Sequence, residues 1–325
     1  MRMQNDQPTR PASRNGTRGF LLFWVLGTLA LGLIQMRAIR ASRPNLEQQI
    51  HATLTSWGLS VDGFATPVDP AAVEKQITLL QSPVSEQRVL AADWLASRGV
   101  RSSGARIAAA MDDPATRRPC QLAKSLGSLG DPRWTDKLID ATQQTDNVDL
   151  QVCAMLALGE LQPPRAVEAL IEAYHHDSAP WTALDALGRI ADPAALAFLR
   201  SVVQSPRNEP DRVLAMRAIQ RIRIMRQSDP VPALMDRVRS RSARGGVDAW
   251  AVRKLATIQD PRAVPALRAA MLDAGQHDRV LLASALVVHG DTGRIALRRL
   301  SEAPAGDDIA AIARAALNVS EPAHR

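Results

Sequence analysis

The sequence predicts an all-α protein: an α-solenoid of about eight antiparallel helix pairs, preceded by one transmembrane helix. Three observations carry this. A unit made of a helix end, a tight turn and a helix start recurs at a spacing near 31 residues. No stretch alternates in the manner of a strand. One charge-free apolar run stands close to the amino terminus.

The unit is clearest at Ala186-Leu187-Gly188-Arg189-Ile190-Ala191-Asp192-Pro193, followed by Leu196, Leu199 and Val203. Ala-Leu-Gly closes one helix, where Gly188 serves as a C-terminal cap or permits close helix contact. Asp192 accepts hydrogen bonds from the free N–H groups of the next helix. Pro193 fits its first position, which needs no donor. Leu196, Leu199 and Val203 then make one apolar stripe.

Pro132, Pro164, Pro193, Pro230 and Pro261 are equivalent, with Arg101 and Thr292 in the same place in weaker copies. From 101 the steps are 31, 32, 29, 37, 31 and 31 residues. Asp131, Asp192, Asp229, Asp260 and Asp291 are expected to cap, and Pro163 replaces the cap once. Leu95, Leu126, Leu158, Leu187, Leu255 and Leu286 mark the preceding helix ends. Such a period without strands means stacked helix pairs.

Ala157-Leu158-Gly159 with Pro164-Arg165-Ala166-Val167, and Asp260-Pro261-Arg262-Ala263-Val264-Pro265-Ala266-Leu267, resemble HEAT repeats, most closely the short kind found in phycobilisome lyases. The resemblance covers roughly residues 69–318 and implies a right-handed superhelix. For function it implies little, because such repeats serve scaffolds, adaptors and a few enzymes.

Residues 1–19 read as a disordered basic tail. Phe20 to Met36 then runs 17 residues without a charge, roughly 25 Å of helix, enough to span a thin bilayer. Arg37, Arg40 and Arg43 crowd the place where a cleavage site would need small residues, so the expectation is an uncleaved anchor. Four arginines before the span and three after it lean towards a cytoplasmic amino terminus. The repeat domain is then extracytoplasmic, periplasmic in a Gram-negative bacterium. The chain carries a net +7, but residues 1–43 hold seven arginines and one acid, leaving 33 basic and 32 acidic groups in 44–325. The basicity belongs to the membrane-flanking segment and is no general sign of nucleic-acid binding.

Within 37–68, Pro44 to Trp57 reads as a juxtamembrane helix with Leu46, Ile50, Leu54 and Trp57 on one face. Gly58 ends it, and it is expected to cap the first repeat. A turn-rich linker follows. The pairs are expected near 69–97, 101–128, 132–160, 164–190, 193–225, 230–258, 261–288 and 291–317. Longer turns lie at Ser205–Pro210 and Ser240–Gly246, and 319–325 is a short tail. Hydrophobic residues make up 46% of the chain and aromatics only 3%, which suits close-packed helices of small side chains.

No catalytic, cofactor or metal residues are assigned. G-x-S-x-G, Walker A, G-x-G-x-x-G after a strand and H-E-x-x-H are all missing from the sequence. Cys120 and Cys153, one repeat apart on equivalent helices, read as two small buried residues, a bridge between them being possible but strained. Glu168, Glu172 and His176 fall at i, i+4 and i+8, with His175 beside them. Glu172-x-x-His175 is similar to half of a di-iron ligand set, but the other half is lacking, and a solvated face is the expectation. His289 reads as a capping or exposed residue. Asn318-Val319-Ser320 is a formal glycosylation sequon.

The one candidate binding surface is an arginine concentration. Arg212, Arg217, Arg221, Arg223, Arg226, Arg237, Arg239, Arg241 and Arg244 stand against Asp229 and Asp236, a net +7 over 33 residues. Its sharp reading is a docking patch for an anionic lipid or an acidic protein; its bland reading is a solvated face. Arg217 and Arg221 are expected to point away from the buried stripe of Ala215, Ala218, Ile219 and Ile222. The functional expectation is a non-catalytic, membrane-anchored scaffold for protein–protein interaction. The alternatives are a bilin-lyase-like enzyme or chaperone, which the repeat type suggests, and a nucleic-acid-binding repeat protein.

Leu187 has a counterpart at almost every helix end, so it should be buried between neighbouring pairs. Leu187→Ala should cost about 2–5 kcal/mol, read as a lowered denaturation midpoint followed by circular dichroism.

Overall fold

A computed structural model of the protein describes residues 44–59, 68–144, 146–176, 179–242, 246–302 and 308–320. The tail and the apolar run at 20–36 lie outside these residues, as do Arg244 and the segment 321–325. No described helix is long and apolar enough to cross a membrane.

The described residues form helices and no strand. A lone helix, α1 (Leu46–Ser56), precedes eight helical hairpins. The first four are α2 (Pro70–Leu79) with α3 (Ser85–Ala96), α4 (Gly104–Asp112) with α5 (Pro119–Ser128), α6 (Thr135–Thr142) with α7 (Val148–Leu161), and α8 (Val167–His175) with α9 (Pro180–Ile190). The others are α10 (Leu196–Gln204) with α11 (Glu209–Met225), α12 (Val231–Ser242) with α13 (Ala249–Ile258), α14 (Val264–Asp273) with α15 (Gln276–Val287), and α16 (Gly290–Ser301) with α17 (Asp308–Ser320). The second helices of successive hairpins stack from α3 to α11 and again from α13 to α17, which makes an α-solenoid.

At Asp131-Pro132, Asp192-Pro193 and Asp260-Pro261 the turn forms as the aspartate–proline pair dictates. The Asp131, Asp192 and Asp260 carboxylates accept from the N–H two residues on, at 3.0, 2.8 and 2.8 Å. The proline then starts a single 3₁₀ turn before the α-helix begins, as at Pro132–Trp134, Pro193–Ala195 and Pro261–Ala263. Asp291 departs from the expectation. It pairs with Arg294 inside the first turn of α16, and His289 takes the cap position. The repeated leucines behave as the period requires: Leu95, Leu126, Leu158, Leu187, Leu255 and Leu286 are all fully buried.

The two roles open to the repeat glycine resolve in favour of close contact. A Cβ on Gly127 would lie 2.7 Å from both Cα and Cβ of Ala157 across the α5–α7 crossing. Gly188 meets Ala218 in the same way, its Cβ position 3.2 Å from that of the alanine. The left-handed cap positions fall to Gln162, Ala191 and Gln259, with φ of 56°, 58° and 58°. Close approach also brings the Cα atoms of Cys120 and Cys153 to 5.2 Å, and the two are joined as a disulfide. Of the two readings left open, two small buried residues or a bridge, the structure takes the bridge: typical helix spacing overestimates the separation where a glycine sits at the crossing.

The largest departure is α1. It meets the end of the first hairpin through His51 and Thr55, beside Gly99, but is not confined there. It packs against α15 and α17 at the far end of the solenoid and against α5 near its start. Ile50 and Leu54 are fully buried there. Asn318 donates to Glu47 at 2.7 Å. At the other end of α1, Arg101 donates to the Thr55 carbonyl at 2.7 Å and Arg253 to the Ser56 carbonyl at 3.3 Å. Guanidinium groups suit a helix C-terminus, where the dipole leaves carbonyl oxygens unpaired. Gly130, with φ +62°, makes room, since a Cβ would sit 2.0 Å from the Thr55 oxygen. The apolar face Leu46, Ile50, Leu54 and Trp57 is satisfied by packing against these helices.

Gly127→Ala should destabilise by about 1–3 kcal/mol, because the inserted methyl meets backbone and not a flexible tip. Gly275→Ala, whose Cβ position touches nothing within 4 Å, should change the thermal midpoint much less. Equal shifts would remove the crossing argument.

Candidate functional site

The concave side holds a cavity of about 640 Å³, walled by α1 on one side and by the second helices of the repeats on the other. Its chemistry follows from the repeat register. Residues two before and two after the repeated leucine, or Ile219 in its place, face inward. This brings Glu160 from α7, Arg189 from α9, Arg217 and Arg221 from α11 and Arg253 from α13 to one wall. Arg237 and Arg241 of α12 join them, with Asp248 and Trp250 at the start of α13.

Six arginines thus meet three carboxylates, Glu160 and Asp248 on the wall and Asp185 behind Arg189. Arg189 is paired with Asp185 at 2.7 Å, and Arg237 with Asp248 at 2.5 Å. Arg253 donates to the backbone carbonyls of Glu160 and Ser56. Trp250 donates its indole N–H to the Arg189 carbonyl at 3.1 Å. The Arg221 guanidinium lies 5.2 Å from the Trp250 ring centroid and that of Arg237 lies 5.8 Å from it, both within cation–π range. The Arg221 Nε is buried without a hydrogen-bond partner among the described residues. Arg217, Arg221 and Arg241 form no ion pair there.

Burial and mutual repulsion strain this cluster. Burial first, then the charges of Arg253 and Arg221, hold Lys254 down to about 8 from its ordinary 10.5. Burial lowers Arg253 to about 10 despite the attraction of Glu160, and it lowers Arg221 as well. Burial raises Glu160, against the pull of Arg189 and the Ser128 hydroxyl.

The arginine concentration is therefore divided between two places. Arg217, Arg221, Arg237 and Arg241 enter the cavity. Arg212, Arg223, Arg226 and Arg239 are exposed elsewhere, Arg212 paired with Glu209 and Arg239 with Asp236. The buried stripe is as expected, with Ala215, Ala218, Ile219 and Ile222 under 9% exposed. Arg221 is not free at the surface, however: it packs behind that stripe against Trp250. Arg189, Arg253, Lys254 and Trp250 were absent from the sequence expectation, because they lie outside the 212–244 window. The register around the repeated leucine is the signal that selects Arg189 and Arg253.

The remaining candidates fall away from this site. Glu168, Glu172, His175 and His176 are exposed on α8 and at its end, and no group of three metal-ligating side chains occurs among the described residues. His289 is buried, its Nδ1 2.7 Å from the Ala285 carbonyl oxygen, so neither an exposed nor a side-chain capping role fits it. Burial lowers its pKa.

Stacked hairpins around a basic chamber define a helical-repeat protein, and known repeat families match parts of it. The model described as HEAT repeats matches residues 104–182 and 135–220, and the PBS lyase HEAT-like repeat matches 249–273. No curated protein matches the chain. Among solved structures, the complex of CpcE and CpcF of phycocyanin lyase from Nostoc sp. PCC7120 is 20% identical, with 79% of this chain and 97% of that chain covered at a TM-score of 0.47. Human deoxyhypusine hydroxylase in complex with glycerol is also 20% identical, with 76% and 95% covered at a TM-score of 0.32.

Lys254→Met offers a test of the cation cluster. Below pH 8 the folded chain holds a charge that burial disfavours, while the unfolded chain keeps its proton up to 10.5. The lysine therefore destabilises fully below pH 8, and its cost fades as pH rises from 8 to 10.5. Lys254→Met should be more stable than the parent at pH 7, by up to about 3 kcal/mol. The difference should shrink towards pH 10.5 in urea unfolding curves. A pH-independent difference would mean that the lysine is solvated.

Proposed function

We propose that the chain is a non-catalytic HEAT-repeat scaffold for protein–protein interaction, tethered to a bacterial inner membrane by residues 20–36 with its repeats on the extracytoplasmic side. The observation that carries the scaffold reading is the outward half of the arginine concentration. On α11, Arg212 and Arg223 flank Val213 and Met216, which are 44% and 55% exposed. Cations around exposed apolar side chains suit an acidic partner with an apolar anchor. The Cys120–Cys153 bridge supports placement in an oxidising compartment, where such bonds persist. The arginine bias around the apolar run supports the orientation.

Two arms test this reading. Arg212→Glu with Arg223→Glu should abolish recovery of acidic partners from native membranes while leaving the circular dichroism spectrum unchanged. Alkaline phosphatase fused after Arg325 should be active. Undiminished recovery would exclude the α11 surface. An inactive phosphatase fusion, with a green fluorescent protein fused at the same position fluorescing, would place the repeats in the cytoplasm.

A further inference from the structure

We propose that the concave chamber is a binding site for a small, multiply charged oxyanion in solution, of the phosphate-bearing or polycarboxylate kind, held by Arg221, Arg217 and Arg241 over the Trp250 ring. This is independent of the scaffold reading, which uses the opposite face of α11.

The charge balance is the first support. Of the cations that line the chamber, Arg189 and Arg237 have carboxylate partners at 2.7 and 2.5 Å. Arg253 is spent on two backbone carbonyls. Arg217, Arg221 and Arg241 converge on the same space without an ion pair among the described residues. Three uncompensated guanidinium groups call for a ligand with at least two negative charges. A single carboxylate would leave the site cationic.

The second support is that the site is built and not merely lined. Arg221 reaches the chamber from among buried neighbours, with its Nε hidden from solvent and unbonded. Such a donor costs free energy unless a ligand or partner takes it. The Asp248 and Asp185 carboxylates near Arg221 are already engaged by Arg237 and Arg189. Trp250 is fixed by its bond to the Arg189 carbonyl, so the guanidinium that stacks on it is held in place. Planar guanidinium forks match the paired oxygens of phosphate and carboxylate. Arg217 and Arg241 are exposed at the mouth and give the ligand a route in.

The third support is size. About 640 Å³ is too much for one inorganic phosphate and lies within the range of small-molecule sites. The depressed lysine beside Arg221 and Arg253 is relieved by an anion in the chamber, so binding should raise its protonation and draw protons from solution.

The experiment is titration of the full chain with sodium pyrophosphate and with sodium citrate, each against sodium chloride at matched ionic strength. The readouts are calorimetry and the thermal midpoint. One saturable site is expected, with a higher midpoint and proton uptake near pH 8. Arg221→Gln should weaken binding about tenfold or more, and so should Arg217→Gln with Arg241→Gln at the mouth, a pair that leaves the interior intact should Arg221→Gln fail to fold. Arg226→Gln, exposed outside the chamber, should bind like the parent. Chloride reproducing the whole effect, or Arg226→Gln losing as much as the chamber variants, would overturn the proposal. Capture by phosphatidic acid vesicles without any response to pyrophosphate or citrate would overturn it in favour of a lipid surface.

Discussion

The structure depends on how closely the inner helices approach one another. Gly127 against Ala157, Gly159 against Ala186 and Gly188 against Ala218 bring backbones together where larger side chains would hold them apart. Close contact on the inner side with ordinary side chains on the outer side bends the stack, and the bend gathers inward-facing residues from successive repeats. The series ends at Gln220, which follows Ile219 in the place where glycine follows leucine in the preceding repeats. There α11 and α13 do not pack as the earlier inner helices do, and Trp250 fills the space. The chamber opens beside this widened step. The break in the repeat pattern thus coincides with the position of the depressed lysine and arginine side chains.

Much of this was legible in the sequence, because repeats report their own geometry. The aspartate–proline turns and the buried leucines follow from period and local chemistry alone. Three things escaped. The first was the location of α1: its apolar face is readable, but which surface receives it depends on curvature, a property of the whole stack. The second was the Cys120–Cys153 bond, since average helix spacing does not apply beside a glycine. The third was the composition of the chamber. A window along the chain finds Arg217 and Arg221 together with Arg223 and Arg226, although the helix sends the two pairs to different sides. Arg189 and Arg253 are more than 60 positions apart, yet both lie on the chamber wall. Reading by register and not by window brings them together.

Concentrating buried guanidinium groups is unfavourable by itself. The fold meets part of that cost with carbonyl acceptors at helix ends. The Thr55 and Ser56 oxygens of α1 and the Glu160 oxygen of α7 each receive an arginine. Packing and electrostatics are therefore joined at α1: the helix that walls the chamber also supplies acceptors for the cations that surround it. Displacing α1 would strip acceptors from Arg101 and Arg253 as well as exposing Ile50 and Leu54.

The position of α1 also changes what kind of polymer problem this chain is. A simple repeat array contacts only its neighbours, so its folding can begin anywhere and spread with short loops. Here Arg253 meets Ser56 across 197 residues and Asn318 meets Glu47 across 271. Closing a 271-residue loop costs about 2 kcal/mol more in chain entropy than closing one repeat of about 32 residues. The hairpins can therefore assemble from local contacts, but these long-range contacts form only after both distant segments have been made. On a ribosome, α1 emerges ahead of all eight hairpins, and its contacts with α15 and α17 wait until the last two repeats have been synthesised.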